Sequence, residues 1–397
     1  MIKKDDKRKS ISTRAVHGGE GRFKYADSLT VPIVQTSTYV FKNSSEIARY
    51  TSKRLIRFEY GRYGNPTQHA AEVKLAQLEG AEECLLFDSG MSAVTTSLLA
   101  LLSKGDHMIL TDDAYGMTLK FVTKHLPRFG IEVSVTKMGD YDEMEKAIRK
   151  NTKLIFSESP TNPYLNIADL VRLKEIKDKY GVLMLIDSTF ATPYNQRPLE
   201  WGMDLVIHSA TKYFGGHNDI LAGAVLGSKA LMEGIKDYQH ACGSIIDPHC
   251  CYLLLRGLKT FALRVDYQNR SAMEVAQWLE AHPKIKKVYY PGLPSHHHHQ
   301  IAKEQMDGYG GVVTFLINRP LKDVKKFLDN LKMIYIAPSL GGVETLITHP
   351  ATVTYYRYTR KERYQLGIVD QLVRLAVGVE DTQDIIADLE QALNAMP

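Results

Sequence analysis

Lys212 stands in the run Ser209-Ala210-Thr211-Lys212-Tyr213, directly after the apolar stretch 205–207. An ammonium at the end of a buried strand is costly to desolvate unless it is paired or used covalently. Its neighbours Ser209 and Thr211 offer hydroxyls that suit a phosphate. Upstream, Asp187 closes the apolar run 182–186, which puts a carboxylate at a sheet edge in need of a cationic or proton-bearing partner. Capping the Ser188-Thr189 loop is its alternative use. Further upstream, Ser89-Gly90-Met91 follows an apolar run ending at Phe87 and opens a helical stretch. Backbone N–H groups and the positive helix end at such a turn are ready for a phosphate or carboxylate.

Taken jointly, these groups match one cofactor. Pyridoxal phosphate needs a lysine for a Schiff base, an acid at the pyridine nitrogen and a phosphate cradle. A second reading uses the same residues: Ser209-Ala-Thr-Lys212 has the S-x-x-K form of a serine acyl hydrolase nucleophile. That signature also wants S-D-N and K-T-G, and neither occurs in this chain.

The elements that position these residues form a regular rhythm. In open parallel sheets, ligands bind outside the carboxyl ends of the strands. Strand-length apolar runs at 84–87, 107–110, 133–135, 154–156, 182–186 and 205–207 alternate with helical patterns. The clearest helices are 140–150 and 168–180, the latter closed by Gly181, with another capped by Thr67 and stopping at Gly80, and one at 92–102. Continuously apolar strands between helices predict an α/β domain with a mostly parallel sheet covered on both faces. Beyond about 257 come a long helical pattern (260–282), strands at 312–317 and 372–379, and helices at 321–331 and 381–396, which read as a smaller α+β unit. Residues 1–63 show no regular period and read as an extended arm, so the expected division is 1–63, 64–257 and 258–397.

Composition narrows the function classes. Fifty Lys and Arg against forty-five Asp and Glu leave +5 over 397 residues, too slight a field for a nucleic-acid binder. Lys3, Lys4, Lys7, Arg8 and Lys9 against Asp5 and Asp6 make the first ten residues a solvated basic tail, so the body is nearly neutral. At 44% hydrophobic and 24% charged, the chain can bury a large core. No apolar run approaches the ~18 residues of a membrane span, and no apolar signal-peptide region opens the sequence, so a cytoplasmic enzyme is expected. Four cysteines, two of them the adjacent Cys250 and Cys251, make no disulfide framework and read as reduced core or interface thiols. His296, His297, His298 and His299 lack the spacing that sets two ligands on one helical face, so they read as a solvated loop and no metal is expected. His208 and His217 read as packing residues.

Eight motifs in order resemble the Cys/Met-metabolism family of pyridoxal-phosphate enzymes, from about residue 13 to 395. They stand as Tyr60-Gly-Arg62-Tyr-Gly-Asn-Pro-Thr67, Ser89-Gly-Met91-Ser-Ala, Asp113-Ala-Tyr115-Gly, Glu158-Ser-Pro-Thr-Asn162-Pro, Asp187-Ser-Thr, Ser209-Ala-Thr-Lys212-Tyr, Ser339-Leu-Gly-Gly and Arg374-Leu-Ala-Val-Gly-Val-Glu-Asp381. The resemblance implies the aspartate-aminotransferase-like fold type I, with a mostly parallel seven-stranded-type sheet and a smaller C-terminal α+β domain. It implies that Lys212 is the Schiff-base lysine and proton carrier, and that Asp187, its pKa depressed by a cation, holds the pyridine nitrogen protonated. Tyr115 would stack on the ring, while Ser89, Gly90, Met91, Ser209 and Thr211 hold the phosphate. Tyr60 and Arg62 would reach the phosphate of a neighbouring subunit, making the assembly a homotetramer of two active dimers. Arg374 would clamp the substrate carboxylate, Asn162 and Ser339 would support the ring oxygen and carboxylate region, and Glu158 would stand behind them.

The implied chemistry is γ-replacement of the transsulfuration type, an activated homoserine ester plus cysteine giving cystathionine, as in cystathionine γ-synthases. The alternative is a γ-lyase releasing 2-oxobutanoate and ammonia. Met117 stands where the family's methionine γ-lyases carry cysteine, and Tyr335-Ile-Ala-Pro-Ser339 and Gly215-Gly-His217-Asn-Asp219 resemble plant-type synthases. Gly116-Met117 stands where those synthases usually carry basic residues, and the segment Thr348-His349-Pro350 with Thr354-Tyr355-Tyr356 is unlike theirs and closer to lyases and sulfhydrylases.

Overall fold

A computed structural model describes residues 10–397, so the basic tail of the first nine residues lies outside the described residues. The larger sheet has seven strands: β1 (Glu83–Phe87), β2 (His107–Thr111), β3 (Glu132–Thr136), β4 (Thr152–Glu158), β5 (Leu183–Asp187), β6 (Leu205–His208) and β7 (Gly223–Gly227). Their order is β1-β7-β6-β5-β4-β2-β3, and the pairs among β2 to β6 are all parallel. Only β7 is reversed, pairing antiparallel with both β1 and β6. Six strands thus follow the expected runs. The apolar residues along them divide between two cores: Leu154, Phe156 and Leu185 face one, while Ile155, Met184 and Ile186 face the other beneath the helix Leu170–Tyr180. That two-sided burial is why the strands read as unbroken apolar runs.

The seventh strand was not legible as one. Its sequence, Gly-Ala-Val-Leu-Gly, carries too few bulky residues to signal a strand. The structure requires the smallness: a Cβ on Gly223 would lie 2.1 Å from the carbonyl oxygen of Ser89. The strand therefore runs directly under the Ser89 turn.

The smaller sheet comprises β8 (Ile285–Tyr289), β9 (Val312–Ile317), β10 (Tyr335–Ile336), β11 (Leu346–Thr348) and β12 (Leu372–Ala376), in the order β10-β11-β12-β9-β8. The helices Phe261–Ala281 and Thr382–Asn394 cover it, sharing a core that includes Phe261, Val275, Phe315 and Leu389. Among the described residues no helix is long and apolar enough to cross a membrane.

Several expectations are corrected. Thr67 is not the helix cap: the Asn65 side chain accepts the N–H groups of Thr67 and Gln68, and the helix runs Pro66–Glu79. Thr67 instead accepts the N–H of Val34 at 3.0 Å and donates to the carbonyl of Pro32 at 2.9 Å, fastening the arm. The arm also has regular structure, with helices at Ile11–His17 and Ser44–Thr51. Its root is a buried ion cluster. Glu20 accepts from Lys74 and Lys259, each at 2.8 Å, while Lys74 also holds the carbonyls of Ala15 and Val16. Burial pulls the Glu20 carboxyl up, but the two lysines outweigh it and hold the pKa down to about 2.

The histidine run is a loop that is solvated only in part: His297 is exposed, His298 and His299 are half-buried and His296 is buried. His296 is buried against the carbonyl of Tyr164, His298 Nδ1 accepts the N–H of Ile167, His297 meets the Asn166 side chain, and His299 meets the carbonyl of Pro291. Burial lowers the pKa of both His296 and His298 to about 4.

Candidate active site

The site forms where three strand ends of the larger sheet face the turn before β11 and the strand β12. After β1, Ser89 caps the helix Gly90–Leu101 by accepting the N–H of Ser92 at 3.1 Å. The N–H groups of Gly90 and Met91 in that first turn have no intrahelical acceptor. A Cβ on Gly90 would lie 3.0 Å from Cβ and Oγ of Ser209, so the turns after β1 and β6 touch only because residue 90 has no side chain. Two N–H donors, the Ser209 hydroxyl and a helix N-terminus therefore share one small concavity. Thr211 is placed differently: its hydroxyl accepts the N–H of Ala222 at 2.9 Å and donates to the same residue's carbonyl at 3.2 Å. Its donor is engaged by the backbone rather than free for a phosphate.

Asp187 ends β5. Its Oδ1 accepts the N–H and the hydroxyl of Thr189 at 3.0 and 2.6 Å, and the Thr189 oxygen in turn accepts the N–H of Ser209. The loop-capping use of this carboxylate is therefore met through Oδ1. From the protein's own groups, burial is the largest influence and pushes the Asp187 carboxyl up, with the Thr189 bonds opposing it; the depression that the resemblance implies belongs to the pairing with a pyridine nitrogen. The protein alone gives it no salt-bridge partner among the described residues, so it is a carboxyl that gains from a protonated nitrogen brought by a ligand. In the next strand Glu158 is its Cα partner. Glu158 is buried, and desolvation followed by the like charge of Asp187 raises its pKa well above the carboxylate range.

Lys212 Nζ donates to Ser339 Oγ at 2.8 Å. Burial first, and then the Arg374 guanidinium, lower the Lys212 pKa to about 8. Arg374, on β12, is only 7% exposed. Its Nη1 donates to Asn162 Oδ1 and its Nη2 to the carbonyl of Ser339, both at 2.9 Å. Nε of Arg374 is buried without a partner, an unspent donor on a group whose pKa burial has already lowered to about 10. Ser339 bridges the lysine and the arginine, and holds a backbone φ of 144° that non-glycine residues rarely adopt.

Tyr115 is 43% exposed, with its N–H on Glu158 Oε2 at 2.7 Å, and it lies within electrostatic reach of Arg374 together with Tyr213 and Tyr355. Sequence reasoning left Glu158 at the margin and gave Thr189 and Tyr355 no role in the site. Glu158 carried the same signal as Asp187, a carboxylate closing an apolar strand.

Tyr60 and Arg62 do not join this constellation within one chain. The Arg62 guanidinium lies 5.2 Å from the Tyr60 ring and 4.9 Å from the Tyr63 ring, and Tyr63 packs edge-on against His240. His208 is a packing residue, buried with Nε2 2.9 Å from Glu79 Oε2, and His217 meets the carbonyl of Gly215. All four cysteines are free thiols.

These groups fit pyridoxal phosphate on their own geometry: a half-buried lysine of lowered pKa, a half-buried carboxyl of raised pKa, and an anion cradle that a Cβ at position 90 would fill. The comparisons agree. The family model described as Cys/Met metabolism PLP-dependent enzyme matches residues 12–394. The chain is 48% identical to the chloroplastic cystathionine gamma-synthase 1 of Arabidopsis thaliana, over 98% of this chain and 69% of that protein. It is 43% identical to the cystathionine gamma-lyase of Bacillus subtilis, over 96% and 98% respectively. The crystal structure of cystathionine gamma-lyase from Lactobacillus plantarum, complexed with L-serine, superposes with a TM-score of 0.91 at 38% identity, covering 98% of this chain and 99% of that one. With its fold, its lysine site and its sequence in agreement, the chain belongs to the Cys/Met-metabolism family of pyridoxal-phosphate-dependent enzymes.

Proposed function

We propose that this enzyme catalyses γ-replacement on an activated homoserine ester, with cysteine as the incoming thiol and cystathionine as product. The observation that carries an α-amino acid substrate is Ser339, whose hydroxyl receives Lys212 while its carbonyl receives Arg374. An amine-exchanging group and a carboxylate clamp one residue apart match the two ends of an amino acid. The γ-synthase choice rests on the 48% identity to the Arabidopsis enzyme. The γ-lyase reading is kept as the second, favoured by the 43% identity to the Bacillus protein. The acyl-hydrolase reading is dropped, since the hydroxyl on Lys212 is that of Ser339 and not that of Ser209.

When bound, pyridoxal phosphate supplies the electron sink that acidifies the substrate's Cα–H. Gly90 and Met91 N–H groups and the hydroxyls of Ser89 and Ser209 hold its phosphate. Thr211 joins them only by releasing the Ala222 carbonyl. Asp187 holds a proton at the pyridine nitrogen. Tyr115 covers the ring and Asn162 supports its oxygen side. Arg374 takes the substrate carboxylate on the unspent Nε and the fork beside it. Lys212 Nζ, released as a neutral amine in a desolvated site, takes the Cα proton and moves protons between the carbons of the side chain. Tyr60 and Arg62 complete the phosphate site of a second copy, in a homotetramer of two active dimers. The chain works as an arm (1–63), a cofactor domain (64–257) and a smaller domain (258–397), in the cytoplasm.

The substrate test incubates the enzyme with O-phospho-, O-succinyl- or O-acetylhomoserine, with and without cysteine. Cystathionine formation supports the synthase; 2-oxobutanoate release that cysteine does not diminish selects the lyase. A second prediction concerns loading. A base whose pKa is lowered to about 8 is mostly neutral above that pH and mostly charged below it. The rate at which cofactor-free protein gains its visible absorbance with pyridoxal phosphate should rise about tenfold per pH unit below that point and level off above it. A rise continuing towards the ordinary lysine range would show that burial does not act on Lys212.

A further inference from the structure

Tyr115 stands at the start of a five-residue helix, Gly116–Lys120, and no side chain caps that helix. The loop carrying Tyr115 is nonetheless tied down at two points. One tie is indirect: Asp113 Oδ2 accepts from Asn166 Nδ2 at 3.1 Å, and Asn166 Oδ1 meets His297 Nε2 at 2.8 Å. The other reaches Tyr115 itself, through its N–H to Glu158 Oε2 at 2.7 Å. Glu158 is buried at the last residue of β4, paired in register with Asp187 at the last residue of β5. The row of strand ends that presents the ring-nitrogen carboxyl therefore also presents the acceptor that fixes the ring-covering tyrosine.

We propose that Glu158 is a positioning residue for the reaction, setting Tyr115 against the cofactor by accepting its backbone N–H. The inference rests on the reading of Tyr115 as the ring-covering residue. An acceptor oxygen is what the role needs, and a negative charge is not. Burial beside Asp187 favours the neutral acid, so glutamine is a close substitute. Leucine keeps the volume and removes the acceptor, leaving the Tyr115 N–H unmet in a site where unpaired polar groups are costly. Aspartate keeps the carboxyl but is a methylene shorter.

The test uses pyridoxal-phosphate-loaded protein, with three readouts: visible circular dichroism of the cofactor, kcat and KM measured separately, and the thermal midpoint. Glu158→Leu is expected to lower kcat by about tenfold to a hundredfold, the scale of an ångström-level misplacement, and to alter the visible dichroism. Glu158→Gln should retain kcat within about threefold and keep the wild-type dichroism. In a Tyr115→Ala background, Glu158→Leu should cost under about twofold, because the residue it positions is gone. A purely structural glutamate would give additive losses in that background, and a glutamine variant as impaired as the leucine one would also overturn the proposal. If Glu158→Leu fails to fold, the pair Glu158→Gln and Glu158→Asp decides, with aspartate expected to behave as impaired and glutamine as active. A wild-type-like aspartate variant overturns the role. Failure of the wild-type protein to gain a visible band with pyridoxal phosphate would sink the functional reading itself, whereas a normal band with unaltered Glu158 variants sinks only the positioning role.

Discussion

Lys212→Ala should leave a folded protein that gains no wild-type visible band with pyridoxal phosphate and loses at least about 10⁴-fold in kcat/KM. That magnitude follows from removing the covalent attachment and the general base together, the latter alone contributing about 10²- to 10⁴-fold. Stability should not suffer, because the deleted ammonium is half-buried and disfavoured, with a pKa lowered to about 8, and among the described residues its hydrogen-bond partner is the Ser339 hydroxyl. Absorbance titration, steady-state rates and thermal unfolding check the three parts. Added methylamine should restore part of the turnover, since the alanine leaves room where the amine stood. A variant that retained the band would show that another amine carries the cofactor.

Arg374→Lys should lower kcat/KM by about 10²-fold, or about 2.7 kcal/mol of transition-state stabilisation, mainly through a higher KM. Lysine keeps the charge but not the planar fork that lets one side chain hold Asn162, the Ser339 carbonyl and a carboxylate together. The loss should vanish for a substrate analogue in which the carboxylate is replaced by a carboxamide, since wild type and variant then lack the same contact. An equal loss on both substrates would assign Arg374 to holding the Ser339 turn alone.

Legibility followed the range of the contacts. Asp187, Lys212 and the Ser89 turn were readable because each closes or follows an apolar strand run and strand ends of a parallel sheet converge. Arg374 and Ser339 belong to the smaller sheet and its preceding turn, and nothing local in their sequence says that they meet Lys212; only the family resemblance pointed to them. The strand β7 was missed because the close approach of the Ser89 turn demands glycine where a strand usually advertises bulky residues. The histidine run looked solvated because four polar residues in sequence resemble a loop. Each imidazole instead finds a backbone or amide partner, a matter of tertiary closure that spacing cannot express. At Asp187 the resemblance assigns the cation to the cofactor; among the described residues the carboxylate is held by the N–H and hydroxyl of Thr189, a turn contact that the Asp187-Ser-Thr run made readable as loop capping.

The ion cluster at Glu20 and the fastening at Thr67 bear on the proposed meeting of two copies. Between them the arm holds Phe23, Tyr25, Leu29, Val40 and Ile56 out from the body, the last of these 99% exposed. A segment pinned at both ends has already lost most of its loop-closure entropy, which grows only as about (3/2)RT ln n with its length. Folding of one chain therefore meets an ordering cost that a loose tail would impose on the encounter. In the proposed assembly the apolar side chains would be offered to a second copy pre-arranged, so more of the free energy of burying them would remain to hold the copies together.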